Sequence, residues 1–377
     1  GLTDALALRA RSGDVLLAAA DTIEARRVAT AADPGRIDVA GAIMAEGGRD
    51  AAVELHARDD VRLQSGARIA AVHTRNGVTG GRVVLGTTAG RLRLEAGSRV
   101  TVGTQGEITL RAPRVGVGAS TDVAIDPVGA TFVGGRAVVV EGVKTYRDNA
   151  GVDIAMIASG TSGDSLLGFG SVASDNAAFL TRSAAIRTRL GLDGDARARM
   201  RAGVDVLAAG DLQLLEDWNL RSAAPAGAEP INLTLRAAGN LQFFASLSDG
   251  FSNPGTAGNL VEGDSASLRL TGGADLGAAN PLAVSPGAGD VFIAADTRVR
   301  TGTGRIDVAA GGAGDHRLDE GERGRKIDVE HDLPRLRCAG VRLGLEIVSR
   351  RPGHVRRLGY NRRHEIERLP AWRGARR

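Results

Sequence analysis

The clearest order in the chain lies between residues 81 and 120, where apolar residues sit two apart and the pairs return about every eight residues. The pairs are Val83/Leu85, Leu92/Leu94, Val100/Val102, Ile108/Leu110 and Val115/Val117. A period of two places both members of a pair on one face of a strand and sends Arg91, Arg93, Thr101 and Thr109 to the other. Short strands, buried on one side, are predicted. Gly, Thr, Ser and Asp fill the intervals and supply positive φ and local side-chain hydrogen bonds for sharp turns. If two or three strands complete one coil, a coil holds on the order of 20 residues, the range of stacked repeats. Pairing each strand in parallel with its equivalent in the next coil makes a parallel β-helix.

The same pattern recurs in GDVLLAAADTIEA from Gly13, AAVELHARDDVRLQSGARIAA from Ala51, INLTLRAAGNLQFFASL from Ile231 and SASLRLTGGADL from Ser265. GRIDVAG from Gly35 and GRIDVAA from Gly304 are near-identical echoes. An antiparallel sandwich or barrel also yields regularly spaced strands, but the echoes and the long run of similar units favour stacking. One stretch differs: residues 171–192 are rich in Ala and Arg, and Phe179, Ser183, Ile186 and Leu190 follow the spacing of one helix face. A helix capped by Ser174 or Asp175 is predicted there, leaning on the side of the stack. The reading is all-β, with β-helix repeats over 1–141, an irregular excursion over 142–199 and further repeats over 200–314.

Composition divides the chain at that last boundary. Residues 315–377 hold 16 Arg and 1 Lys against 10 acidic residues, so the overall charge of +4 conceals a body of net charge −3. The basic character belongs to the tail, which also carries Cys338 and four of the six histidines. The body has no thiol, which suits passage through an oxidising compartment. Only 11 residues are aromatic and 53 are Gly, consistent with thin layers of small aliphatic side chains. No apolar run reaches the roughly 18–20 residues of a membrane span. The N-terminus GLTDALALRARSGD lacks the basic start and apolar run of a signal peptide, so the chain reads as a piece without its beginning.

Several phrases carry a resemblance: MRAGVDVLAAGDLQLLEDWNL at 200–220, LRAAGNLQFFASLSDGF at 235–251, SASLRLTGGADLGAANPL from Ser265 and GDVFIAADTRVRTGTGRIDVAAGG to Gly312. Over residues 1–314 the chain resembles the filamentous haemagglutinin family of large exoproteins exported by two-partner secretion. The resemblance implies a right-handed parallel β-helix that serves as the shaft of an adhesin, attaching to host cells or other surfaces. It further implies an outer-membrane secretion pore as partner, a glycan or protein receptor on the host, and a secreted or cell-surface location. It supplies no catalytic residue, metal or cofactor. A stalk for contact-dependent toxin delivery is the alternative, followed by a polysaccharide lyase or hydrolase. Beyond Gly311 the strand grammar gives way to arginine, with no Thr and the single Ser349, and the 315–377 tail reads as a shifted frame or a poorly ordered extension.

Other motifs have plainer readings. Gly302-Thr303-Gly304 hints at a phosphate loop, but strand-like IDVAA follows where a helix is needed. GLDGD at 191–195 and GGAGD at 311–315 hint at calcium turns without the repeating spacing that would support them. His364-Glu365 lacks the second His of a zinc-protease helix, and Cys338 with His331 and His354 is too sparse for structural zinc. Trp218 reads as a core residue, and the acidic residues as scattered over turns. The Arg-rich tail carries ten acids and no nucleic-acid-binding signature.

Overall fold

The computed structural model describes residues 3–47, 50–253 and 258–312; the tail assigned to 315–377, with its Cys338 and His364, lies outside them. Among the described residues strands make up 48% and helix 9%, so the fold is mostly β. Ten strands form one long parallel path: β1 Leu6–Ala10, β2 Arg27–Ala32, β3 Ala52–Ala57, β4 Arg82–Thr87, β5 Glu107–Val115, β6 Ala137–Tyr146, β7 Ala198–Ala208, β8 Asn232–Ala237, β9 Ser267–Gly272 and β10 Ile306–Ala310. Between successive members the chain visits shorter parallel sheets, such as Val15–Leu17, Ile37–Val39, Val61–Leu63 and Leu92–Leu94 in one. Long parallel sheets curled into a half-barrel are consistent with a parallel β-helix-like fold.

Register explains the alternation. Val53 pairs with Val83, Val83 with Ile108 and Ile108 with Val138, while Leu55, Leu85, Leu110 and Val140 form the next row. Both rows are fully buried and, Val138 apart, belong to one apolar cluster with Leu92, Leu94, Val100 and Val102 from the shorter sheets. The repeat is longer than 20 residues: Val28 pairs with Val53, 25 residues on, and Val53 with Val83, 30 on. The fifth expected pair is wrong, because Val115 and Val117 are exposed. Arg114 and Val115 turn back in an antiparallel pairing with Val123 and Asp122, which takes this segment out of the stack. Buried Val123 and Ile125 fill the place instead, Ile125 bridging to Leu92. The echoes are not equivalent either, since Ile37–Val39 lies in the four-stranded sheet and Ile306–Ala310 ends the long one.

The predicted helix is two helices, α1 Phe169–Leu180 and α2 Ser183–Leu190, between the paired strands β6 and β7. Ser174 and Asp175 fall inside α1 rather than capping it, and the cap position is Gly168. Phe179, Ile186 and Leu190 are buried as their spacing predicts, with Ser183 half-buried. Gly191 ends α2 at φ 72°, a left-handed conformation that glycine adopts without steric penalty. Trp218 is buried and stacks on Phe169, with ring centroids 4.7 Å apart.

The long sheet does not run straight. Nine strands separated by about 4.8 Å per step would hold β1 and β9 roughly 38 Å apart, yet Arg9 of β1 bonds Asp275, just beyond β9, at 2.5 Å. The same Arg9 donates to Asp33 at 2.6 Å, and Asp33 accepts from the Ala279 backbone N–H at 3.0 Å. The sheet is curled until its first strands meet the segment after its ninth. Removing both side chains of this clasp, Arg9→Ala with Asp33→Ala, is expected to loosen the closure and raise the radius of gyration in small-angle scattering, with the far-ultraviolet spectrum unchanged. An unchanged radius would show that the curl is held by the sheet's own twist.

Candidate functional site

Curling creates a second interior. On the face opposite the apolar rows, β3 contributes Glu54 and His56, β5 Thr109 and Arg111, β6 Glu141, β7 Arg201 and Asp205, β8 Asn232 and Arg236, β9 Arg269 and β10 Asp307. All are buried except the half-buried Arg269. A period of two assigns this face to solvent, as expected for Thr109, but that residue is only 4% exposed. Buried charges at these positions require partners, and the strands bring them together across long sequence separations.

Arg111 is the centre. Its Nε donates to Glu141 Oε1 at 3.0 Å and its Nη2 to both carboxylate oxygens of Asp205 at 2.5 Å. Glu141 also accepts from Asn232 Nδ2 at 2.8 Å and from Arg269 Nη1 at 3.3 Å. Burial alone raises a carboxyl pKa, but Arg269, Arg111 and the Asn232 hydrogen bond outweigh it and hold Glu141 at about 2. Desolvation opposes the charge on Arg111, yet Asp205 and Glu141 raise its pKa further still. Arg236 has less support: burial lowers it to about 10 despite Asp205, while its Nη2 donates to the Asp275 carbonyl at 2.5 Å. Arg82 pairs with Glu54, whose other oxygen lies 3.7 Å from His56 Nε2.

No family model, curated protein or solved structure matches this chain. What the site can do therefore rests on its geometry. Where the strands of the long sheet begin, the curl opens into a cavity of about 440 Å³. Its floor includes Val84, Thr109, Arg201, Asn232, Arg269 and Asp307; its rim includes Arg75, Gln105, Arg136 and Thr303. At the other end Arg114 donates to the Gly142 and Gly203 carbonyls and to Asn176 Oδ1 of α1, and it stacks over Phe179 at 4.5 Å.

Of the motifs singled out in the sequence, Gly302-Thr303-Gly304 forms the turn between Val299–Thr301 and β10, with Thr303 on the cavity rim. Residues 191–195 are the turn after α2, and 313–315 lie outside the described residues. Sequence reasoning placed the acids on turns and missed Glu54, Glu141, Asp205 and Asp307 as one group. The available signal was a charge at an alternating position in VELHA, VVVEG, GVDVL and RIDVA, each in a different strand of the long sheet.

Stability should depend on pH through this face. Burial lowers the His56 pKa, Glu54 opposes this, and Arg111 and Arg269 reinforce it. Unfolded His56 titrates near 6.5, so below that the unfolded chain binds the extra proton and stability falls with pH. Glu141, depressed from 4.5 to about 2, loses its contribution over the lower window as pH falls through those values. Thermal melts should be flat above pH 7 and drop below about pH 6.5, and His56→Gln should flatten the upper limb alone. An unaltered profile in His56→Gln would assign that limb to other groups.

Proposed function

We propose that this chain is a stretch of an exported, filamentous haemagglutinin-like exoprotein, built as a right-handed parallel β-helix and serving attachment rather than catalysis. The observation that carries the reading is the same-register parallel pairing of ten successive strands, which lets a chain lengthen by adding coils without building a new core. Right-handedness follows from the strong preference of parallel crossovers for that hand. On this reading an outer-membrane pore exports the chain, and its receptor is a host-surface glycan or protein met by the outer faces of the shorter sheets and their connections. The curl gives this section a compact form and reduces the reach it supplies. Glu141, held ionised behind Arg111 and Arg269, is a poor proton donor for glycosidic chemistry.

Beads coated with the chain test the proposal. Saturable adherence to cultured mammalian cells or to immobilised glycans, without release of reducing or unsaturated ends from a polysaccharide panel, is the expected result. Absence of adherence to every surface overturns it. Release of sugar ends that is abolished by Asp205→Asn or Asp307→Asn would replace it with an enzyme.

A further inference from the structure

The turns that leave the long sheet are short. Residues 58–60, 209–211 and 238–240 carry β3, β7 and β8 into the next short strand in three residues each. After β9 the same turn takes residues 273–290, yet the pairing on both sides is undisturbed, with Gly272 opposite Ala237 and Val291 opposite Leu241. The extra length leaves and returns at one point. Gly273 and Gly289 both hold a positive φ, and a Cβ on Gly273 would stand 1.3 Å from the Ala288 carbonyl oxygen, so the two ends of the segment touch. Taking out residues 274–288 would leave Gly273, Gly289 and Asp290, the same length of turn as in the neighbouring coils. Residues 274–288 are therefore a compact loop with closed ends, set into a coil whose pairing is complete without it.

The loop turns into the curl. Its stem is an antiparallel bridge between Ala274 and Val284, and Ala278 and Ala279 in its middle are buried. Hydrogen bonds tie it to the sheet: Arg236 Nη2 donates to the Asp275 and Ala278 carbonyls at 2.5 and 3.2 Å, Thr271 Oγ1 to the Pro281 carbonyl at 3.0 Å, and the Ala279 N–H to Asp33 at 3.0 Å. Such bonds are exchanged for bonds to water at a small net cost, whereas separating the aliphatic rows of the coils is not offset in that way. Asn280, Pro281 and Leu282 border a small void with Glu54 and His56, and Arg82, Val84, Arg269 and Asp307 line both this void and the cavity of about 440 Å³. The cavity opens where the strands begin, and the loop stands across the opposite end. We propose that residues 274–288 are a plug, a separable loop that closes the strand-end mouth of the curled sheet, makes the cavity blind and opens without unfolding of the coils. The inference goes beyond the attachment reading and does not depend on it.

Two measurements test the plug. In the unaltered full chain, hydrogen exchange read by peptide mass should show the amides of 274–288 exchanging as one group, ahead of those of β8 and β9. The second compares the parent with a variant lacking 274–288, in which Gly273 is joined to Gly289, and uses His56 as the reporter. His56 is 5% exposed and neutral at neutral pH, because burial lowers its pKa, so access alone limits its modification by diethyl pyrocarbonate. Its rate of modification should rise by about tenfold or more in the deletion variant, as expected when a group reached only through an opening becomes open in the ground state. Half-buried His73, on the lining of the cavity at the open mouth, should react equally in both. The clasp variant Arg9→Ala with Asp33→Ala keeps the loop and should expose His56 less than the deletion does. The proposal is overturned if the deletion variant loses its far-ultraviolet strand signal, if His56 stays protected in it, if the clasp variant exposes His56 equally, or if the loop amides exchange only together with β8 and β9.

Discussion

Arg111→Met is expected to destabilise the chain by about 3–5 kcal/mol, the usual consequence of removing one partner from a buried charge group. Arg111 is 2% exposed, and its loss would leave Asp205 without its bidentate partner while Glu141 retained Arg269 and Asn232. Most of the penalty should therefore come from Asp205. That expectation is separable, because adding Asp205→Leu removes the stranded carboxylate and should recover a large part of the loss. Equilibrium urea unfolding of the parent, both single variants and the double variant completes a cycle that isolates the pair. If Arg111→Met alone costs less than about 1 kcal/mol, the pair behaves as a hydrated surface bridge and the curled face is open to water.

Gly142→Ala should be clearly destabilising although it adds only a single methyl group. A Cβ at Gly142 would stand 2.2 Å from Cζ of Phe179, and both residues are held from other directions. Gly142 pairs with Ala112 on one side and Ala202 on the other, so three small residues lie in register across β5, β6 and β7 where the Phe179 ring approaches. Arg114 stacks on the ring at 4.5 Å while bonded to Asn176 at 2.7 Å, leaving little room for retreat. Overpacking of this kind costs about 1–3 kcal/mol. In a Phe179→Leu background the same substitution should cost markedly less, since the shorter side chain withdraws the clashing atom. Equal costs in the two backgrounds would mean that the backbone, rather than the ring, absorbs the methyl group.

Much of this architecture was legible from alternation. Val83/Leu85, Leu92/Leu94, Val100/Val102 and Ile108/Leu110 are buried as their spacing requires, and Phe179, Ile186 and Leu190 share a buried helical face. The failures have physical causes. Val115/Val117 obeys the same period but lies where the chain folds back on Asp122–Val123, so a local pattern was overridden by an antiparallel pairing. The two GRIDVA echoes fit strands of either sheet, because a short apolar alternation specifies a strand and a buried face without specifying the neighbour.

The candidate site was barely legible. Each strand shows only that its second face is polar, and a single strand gives no sign that this face will be enclosed. Alternation with a period of two is a property of a few consecutive residues, so the sequence by itself determined the strands, their apolar rows and the turns between them. The curl accumulates over many strand pairs, each adding a small twist, and it is clasped by Arg9 with Asp275 and Asp33 with Ala279, pairs separated by 266 and 246 residues. Only the tertiary structure could decide that Arg111, Glu141, Asp205 and Asp307 face one another rather than water, because their burial depends on where distant strands arrive.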